Sequence, residues 1–316
     1  MFQNARVATA NLPEELADFS ISPPMATGPW SKVYRGECAR FGSAVAVKMF
    51  IDPLNGRPAA NDAQNYFDML TEISDAGASD PLFAVPKPLL MVHDMATVVS
   101  EWVTGVTLRR KLATASTRQV RDAVRDAGRW LGCLHRSFGV TYRRLDTEQM
   151  LEKLFELDGA QSARASNRIR RAIARLRESA PGVGDDEIPW SRLHGDFKPQ
   201  NLIYSEGRVF GIDIGEPHRN AGVRDAAHFL NHLHLLLLSP AGLRHLPFRE
   251  RLVEAFHEGY QSRGGVLPRR HLEWCQMHAA IRMRLNVGQW SSPPKAWVAA
   301  LQINGLLESL IRRLSP

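Results

Sequence analysis

The sequence predicts an α+β chain of two lobes: a small antiparallel sheet with one helix, then a larger, mainly helical part. Three observations predict it. At 316 residues the chain is longer than a single small core serves, so two units are expected. Residues 30–102 carry short β-rich runs broken by turn residues. Beyond Thr107, apolar residues recur at helical spacing. The Thr104-Gly105 step breaks the strand pattern and sets the boundary, with an N-lobe of 1–103 and a C-lobe of 104–316.

The elements follow in order. Runs 33–37 and 43–50 read as strands around the turn Arg40-Phe41-Gly42. A helix over 61–75 gathers Tyr66, Phe67, Leu70 and Ile73 on one face. Val85-Pro86-Lys87-Pro88 is extended, because proline excludes helix at and before itself. Strands 89–93 and 97–102 flank the Asp94-Met95 turn. A helix over 117–138 spaces Val120, Val124, Ala127, Trp130, Leu131 and Leu134 along one stripe, with Thr117 as N-cap and Gly139 as its stop. Residues 147–179 form one or two helices, strongly basic over 168–177, and 181–186 form a loop. Short strands at 202–204 and 208–212 flank Glu206-Gly207; helices follow at 223–238, 248–262, 269–287 and 295–314.

Composition narrows the class. Hydrophobic residues are 44% and charged residues 23%, which is ordinary for a globular chain. The apolar run 233–238 is interrupted by His234 and is far too short to span a bilayer. No apolar core follows basic residues near the N-terminus, so no secretory signal is expected. Cys38, Cys133 and Cys275 are widely separated, suggest neither a disulfide framework nor a metal site, and fit a reducing cytoplasm. The net charge of +7 reads as a solvated Arg-rich surface. Without zinc-finger spacing or an aromatic-basic RNA signature, nucleic acid is not an expected partner.

Chemistry concentrates in His194-Gly195-Asp196-Phe197-Lys198-Pro199-Gln200-Asn201 and the following Gly211-Ile212-Asp213-Ile214-Gly215. This places an Asp, a Lys, an Asn and a second Asp in one strand-loop-strand region. Phosphoryl transfer from ATP needs that set: a carboxylate at the attacking hydroxyl, an amide and a carboxylate for Mg²⁺, and a cation to offset charge on the transferred group. The spacing H-x-D-x-x-x-x-N with a downstream D-x-G is the signature of kinase catalytic and metal loops. Asp196 is read as the general base or hydroxyl-orienting group, and Lys198 as the cation at the γ-phosphate. Asn201 and Asp213 are read as ligands of Mg²⁺, an ion that takes hard oxygen donors and keeps several waters. His194 is read as structural, bonded to backbone near Asp213, and His135 as a buried core histidine. Asp225 either caps its helix or braces the catalytic loop from beneath.

The first lobe supplies nucleotide contacts. In Val45-Ala46-Val47-Lys48, strand alternation puts Lys48 on the face of Ala44 and Ala46, where it reaches the ATP α/β-phosphates. Glu72 and Asp68 lie one turn apart as its candidate partners, Glu72 being preferred. Aligned on Val33, the nucleotide loop 26–33 keeps only its central glycine, Gly28; Ser31 supplies a hydroxyl, and Pro29 removes one donor. At the end of the last strand, the carbonyl of Glu101 and the N–H of Val103 are expected to meet the adenine edge.

These residues justify a family. The chain resembles the protein-kinase-like superfamily, in particular its aminoglycoside phosphotransferase and choline kinase branch. The resemblance is carried by 45–48, Pro86-Lys87-Pro88-Leu89, Glu101-Trp102-Val103-Thr104-Gly105, Leu131-Gly132-Cys133-Leu134-His135, 194–201, 211–215 and Asp225-Ala226-Ala227. It spans roughly 26–235 and leaves the last helices without a signature. It implies a bilobal protein-kinase-like fold with ATP in the cleft and Mg²⁺ as cofactor, and supports the roles of Lys48, Asp196, Asn201 and Asp213. Two departures stand out: the degraded glycine loop, and Lys198 in place of the histidine common in that branch.

The acceptor is expected to be the hydroxyl of a small molecule. Only nine residues, 214–222, separate Asp213 from the next helix, and no A-P-E motif follows to build a peptide platform. Residues 214–316 hold thirteen basic and seven acidic side chains, which argues against a polycation and for a neutral or anionic acceptor. Sugars, antibiotics, nucleoside-like compounds and lipid headgroups fit. The alternatives are a Ser/Thr protein kinase and a catalytically silent binding module, the latter opposed by the intact Lys48, Asp196, Asn201 and Asp213 set.

Overall fold

The computed structural model describes residues 18–77, 80–159, 167–215, 218–287 and 293–314. It divides into two compact units. The first runs to Gly105 and also takes in Ser205–Ile212; the second comprises Val106–Tyr204 and the chain from Asp213 onward.

The first unit contains β1 (Phe19–Ile21), β2 (Ala26–Thr27), β3 (Ser31–Cys38), β4 (Ser43–Phe50), helix α1 (Ala60–Gly77), β5 (Phe83–Ala84), β6 (Pro88–Val92) and β7 (Thr97–Glu101). Its antiparallel sheet runs β1-β3-β4-β7-β6, with β2 on β3. β3 and β4 pair without a break from Ser31↔Phe50 to Cys38↔Ser43. Their turn closes on Gly42 at φ +63°, a left-handed conformation open to glycine. Strand alternation sorts the faces. Val45, Val47 and Val99 pack with Phe19 and Cys38 on one side. Val98, Phe50 and Met91 pack with Ala63, Tyr66 and Phe67 of α1 on the other.

The second unit continues with β8 (Val106–Thr107), α2 (Leu108–Thr114), α3 (Thr117–Ser137), β9 (Thr141–Arg144), α4 (Thr147–Gly159), α5 (Asn167–Ser179), the single turn α6 (Pro181–Gly184), β10 (Glu187–Arg192) and β11 (Leu202–Ser205). Strand β12 (Arg208–Gly211) returns to the first unit and pairs in parallel with β5, Val209 opposite Phe83. Then come β13 (Arg219–Ala221), α7 (Val223–Leu237), α8 (Arg249–Gln261), α9 (Arg269–Asn286) and α10 (Pro293–Arg313).

The observed α+β class matches the expectation; several details differ. Helix α3 is capped by Ser116, not Thr117: the Ser116 hydroxyl and the Gln119 side chain form a reciprocal capping box. Thr117 instead bonds His245 Nδ1 at 2.9 Å. The span 181–186, expected as a loop, opens with the turn α6. The antiparallel sheet β13-β10-β9 was not expected. Its β9 strand, Thr141–Arg144, is exposed throughout and lacks the apolar alternation that signals a strand. Among the described residues no helix is long and apolar enough to cross a membrane.

Two contacts build the core around the loop 194–201. Helices α3 and α8 cross at glycines: a Cβ on Gly128 would lie 2.1 Å from the Phe256 carbonyl oxygen, and one on Gly259 would lie 1.9 Å from that of Arg125. An aromatic column also runs through the unit. Phe197 stacks on Trp130 of α3 at 5.7 Å and meets Phe229 of α7 at 5.1 Å; Phe229 stacks on Phe256 of α8 at 4.7 Å. All four rings are fully buried.

Candidate active site

The column anchors the loop from its middle, since Phe197 lies between Asp196 and Lys198. With that ring held, the flanking polar residues turn to the opposite side. Lys198 is extended at φ −146° and leads into a 3-10 turn, Pro199–Asn201, closed by the Asn201 N–H donating to the Lys198 carbonyl at 2.9 Å. Proline at the start of this turn removes an N–H that the turn does not use.

Three donors converge on Asp196. Lys198 Nζ bonds Oδ2, Asn201 Nδ2 donates to Oδ2 at 3.0 Å, and His228 Nε2 lies 3.2 Å from Oδ1. Asn201 Nδ2 also reaches the Asp196 main-chain oxygen at 3.0 Å. Burial is the largest single influence and favours the neutral acid. The His228 hydrogen bond, with the charge and hydrogen bond of Lys198, outweighs it and holds the carboxyl well below the usual carboxylate range. Asp196 is therefore ionised at neutral pH, as a proton acceptor must be.

Beneath the loop lies Asp225, in the first turn of α7. Its Oδ2 accepts the His194 N–H at 2.6 Å and its Oδ1 the Gly195 N–H at 3.0 Å. His135 Nε2 lies 3.2 Å from Oδ2, and His135 Nδ1 lies 2.8 Å from the Tyr260 hydroxyl. Asp225 is 2% exposed. Burial alone would raise its pKa, but the bonds and charges of His135 and His194 turn the balance and lower it. Of its two expected roles, bracing the loop is the one observed. His135 is the buried, hydrogen-bonded core histidine anticipated.

The His194 ring takes a different partner from the one expected. Its Nδ1 accepts from the Asp196 N–H at 3.3 Å, while its main-chain oxygen accepts from Gly215 N–H at 2.8 Å. The link to the Asp213 segment thus runs through backbone. Asp213 itself adopts φ +60°, a left-handed conformation that aspartate tolerates better than most residues.

Asn201 suits a hard cation. Both of its bonds to Asp196 use the amide nitrogen, which leaves the carbonyl oxygen as its remaining polar group. With the Asp213 carboxylate it gives an all-oxygen pair, the donor chemistry Mg²⁺ takes together with phosphates and waters. Among the described residues no cluster of three His, Cys, Asp or Glu forms a metal cage.

The first unit places its own predicted residues. Lys48 shares the α1 face of the sheet, with Nζ 4.2 Å from the Tyr66 ring centroid and 5.0 Å from that of Phe50. Glu72 lies on the exposed side of α1, as does Asp68, whose Oδ1 accepts from Gln64 at 2.8 Å. Gly28 turns the β2–β3 hairpin and donates its N–H to the Ser31 carbonyl at 2.9 Å. Ser31 opens β3. Glu101 ends β7, its N–H on the Lys87 carbonyl at 2.9 Å, and Val103 follows beyond the strand.

Sequence reasoning missed three residues of the second unit. His228 touches Asp196 as described, and its ring packs on His232 at 4.5 Å. Arg224 and Arg282 line a pocket of about 80 Å³ whose wall also includes Gly195 and His228. The available signal was spacing: Asp225, His228 and His232 fall at i, i+3 and i+7 of one helix face.

The chain was compared with known proteins. The phosphotransferase enzyme family profile matches residues 48–212. No curated protein matches the chain significantly in sequence. Among solved structures, glucosamine kinase in complex with glucosamine, ADP and inorganic phosphate superposes at TM-score 0.63 and 16% identity, over 92% of this chain and 80% of that one. Amicoumacin kinase in complex with AMP-PNP, Ca²⁺ and its ligand gives TM-score 0.62 and 15% identity, over 92% and 88%. A choline/ethanolamine kinase family protein from Mesorhizobium loti gives 0.57 and 13%, over 91% and 87%. Likeness at such low identity establishes a shared kinase-like fold. Together with the profile match over more than half the chain, it shows that this protein belongs to the phosphotransferase enzyme family.

Proposed function

We propose that the protein transfers the γ-phosphate of ATP to a hydroxyl of a small molecule, with Asp196 as the base that orients and deprotonates that hydroxyl. The observation that carries this reading is the set of three donors, Lys198, Asn201 and His228, which keeps Asp196 ionised and fixes its direction. Lys198 offsets charge on the transferred group. Asn201 and Asp213 would hold Mg²⁺, which when bound neutralises phosphate charge.

In the first unit, Lys48 engages the α/β-phosphates. Glu72 is its partner in preference to Asp68, because Asp68 already accepts from Gln64. Since the Gly28 N–H is used within its own hairpin, the Ser31 hydroxyl is the better loop donor to phosphate. The Glu101 carbonyl and the Val103 N–H meet the adenine edge. The acceptor is neutral or anionic: a sugar, an antibiotic, a nucleoside-like compound or a lipid headgroup. The segment after Asp213 supports a small acceptor over a peptide, because β13 within it is paired to β10 instead of forming a docking platform.

Thermal unfolding with ATP, GTP or no nucleotide, each with and without Mg²⁺, tests the reading on wild type and Asp213→Ala. A ligand confined to the folded state stabilises it by about 2.7 kcal/mol at a hundredfold excess over its Kd. A Mg²⁺-dependent rise in midpoint that Asp213→Ala loses is expected. No rise with either nucleotide at millimolar concentration would return the chain to the silent-module alternative.

A further inference from the structure

The pocket beside Asp196 has a charge character that the phosphotransferase reading does not require. It opens next to Gly195 and His228, so it lies one hydrogen bond from the Asp196 carboxylate. Arg224, in the first turn of α7, and Arg282, on α9, line it together with Cys275 and His278. Among the described residues neither arginine has a carboxylate partner, whereas Arg125, Arg129, Arg168, Arg175 and Arg269 are all ion-paired.

The one carboxylate in the wall is already satisfied. Asp225 accepts from two backbone N–H groups and contacts His135, so little of its charge is left for the arginines. The neighbouring groups register the surplus positive field. Burial, then the charges of Arg282 and Arg224, hold His278 neutral, at about 4, with only a backbone bond to Met150 opposing. Burial, then the charge of Arg224, both lower the pKa of Arg282. Two like charges without a counter-ion, facing one small space, are costly unless an anion joins them. Guanidinium groups match planar and tetrahedral oxyanions by paired N–H donors. The space holds several water-sized groups, enough for one such head.

We infer that the acceptor carries a small oxyanion, a carboxylate or a phosphate, which Arg224 and Arg282 grip while its hydroxyl meets Asp196. This rests on the phosphotransferase reading and narrows its acceptor class to anionic compounds. Cationic acceptors are excluded by the same pair.

The test is a thermal-shift titration of wild type, Arg282→Gln and Arg224→Gln. Inorganic phosphate and acetate serve as the two oxyanion probes and glucose as the neutral one, all at saturating Mg²⁺-ADP so that nucleotide-phosphate contacts are filled. Arg269→Gln, on an exposed and distant face, carries the same change in net charge. At least one anion is expected to raise the wild-type midpoint, with half-effect concentrations at least tenfold higher in both pocket variants and unmoved in Arg269→Gln. Phosphate and acetate distinguish which oxyanion the pair prefers. No anion response in wild type, or an equal response in all four proteins, overturns the inference. The Mg²⁺-ADP shift on the same proteins reports separately on the phosphotransferase reading: if it is absent while the anion response tracks the arginines, the parent reading fails and the oxyanion site stands.

Discussion

The Asp225 carboxylate accepts the His194 backbone N–H at 2.6 Å, across 31 residues of sequence. One buried side chain thereby sets the height of the loop that carries Asp196. Replacing Asp225 with Asn turns one acceptor oxygen into a donor facing N–H groups. Asp225→Asn is expected to lose on the order of 3 kcal/mol of stability, as when one member of a buried pair is removed. Urea unfolding of Asp225→Asn, His135→Ala and the double variant checks it. A double variant equal to the sum of the singles would dissolve the proposed coupling.

Asp196→Asn keeps the shape of the side chain and removes its basicity. Turnover is expected to fall about a hundredfold to ten-thousandfold, the range for losing a general base, while the nucleotide-induced midpoint shift persists. Near-full turnover by this variant would remove Asp196 from the base role.

His228 acts through Asp196 and is a positioning residue. Its hydrogen bond is the largest of the influences lowering the Asp196 pKa. In His228→Ala the acid limb of the kcat/KM profile is therefore expected to move to higher pH, toward the ordinary carboxylate range. A profile with an unmoved limb and only a lower plateau would mean that His228 merely packs.

Stability should begin to fall in mild acid, from about pH 6.5 downward. Burial, aided by the charges of His228 and Lys198 and opposed by Asp196, lowers His232 to about 3. The unfolded chain binds the His232 proton near pH 6.5 and the folded chain only near 3, so between those values the unfolded state holds more protons. His232 thus contributes stability that is full above 6.5 and is lost as pH falls toward 3. Melting of wild type and His232→Gln from pH 7.5 to 4 should show a shallower decline in the variant.

The glycine crossing of α3 and α8 allows no methyl group. Gly128→Ala places a carbon 2.1 Å from the Phe256 carbonyl oxygen and is expected to cost about 1–3 kcal/mol through forced separation of the helices. Gly259→Ala strains the same crossing, so the pair should be less than additive in denaturant unfolding. Wild-type midpoints for both would show that the helices cross elsewhere.

The two-part α+β class was legible because its signals are local: the alternating Val45 and Val47, the periodic Val120 to Leu134, and the spacing of His194, Asp196 and Asn201. The loop motif brings Asp196, Lys198 and Asn201 together within six residues, so sequence distance and spatial distance nearly coincide. His228 left only the trace of its helical spacing with Asp225 and His232; Arg224 and Arg282 were not legible, because their significance depends on helices α7 and α9 meeting near the loop, and no local pattern encodes that meeting. The β9–β10–β13 sheet escaped for another reason. Its strands are short, and their partners lie dozens of residues away. Ser116 was passed over as the cap because Thr117 beside it has the same chemistry; only the reach of Gln119 decides between them.

The burial of Phe197 between Trp130 and Phe229 bears on how such an enzyme changes under selection. The floor of the reaction centre and the structural core are one object, so substitutions that alter the floor fall first on foldability and are purged. The arginines of the pocket wall, Arg224 on α7 and Arg282 on α9, carry no such burden. Arg282 is exposed and has no carboxylate partner among the described residues, and its replacement leaves the aromatic column untouched. Divergence in acceptor preference is therefore channelled to the walls, while the phosphoryl-transfer apparatus is inherited as a block.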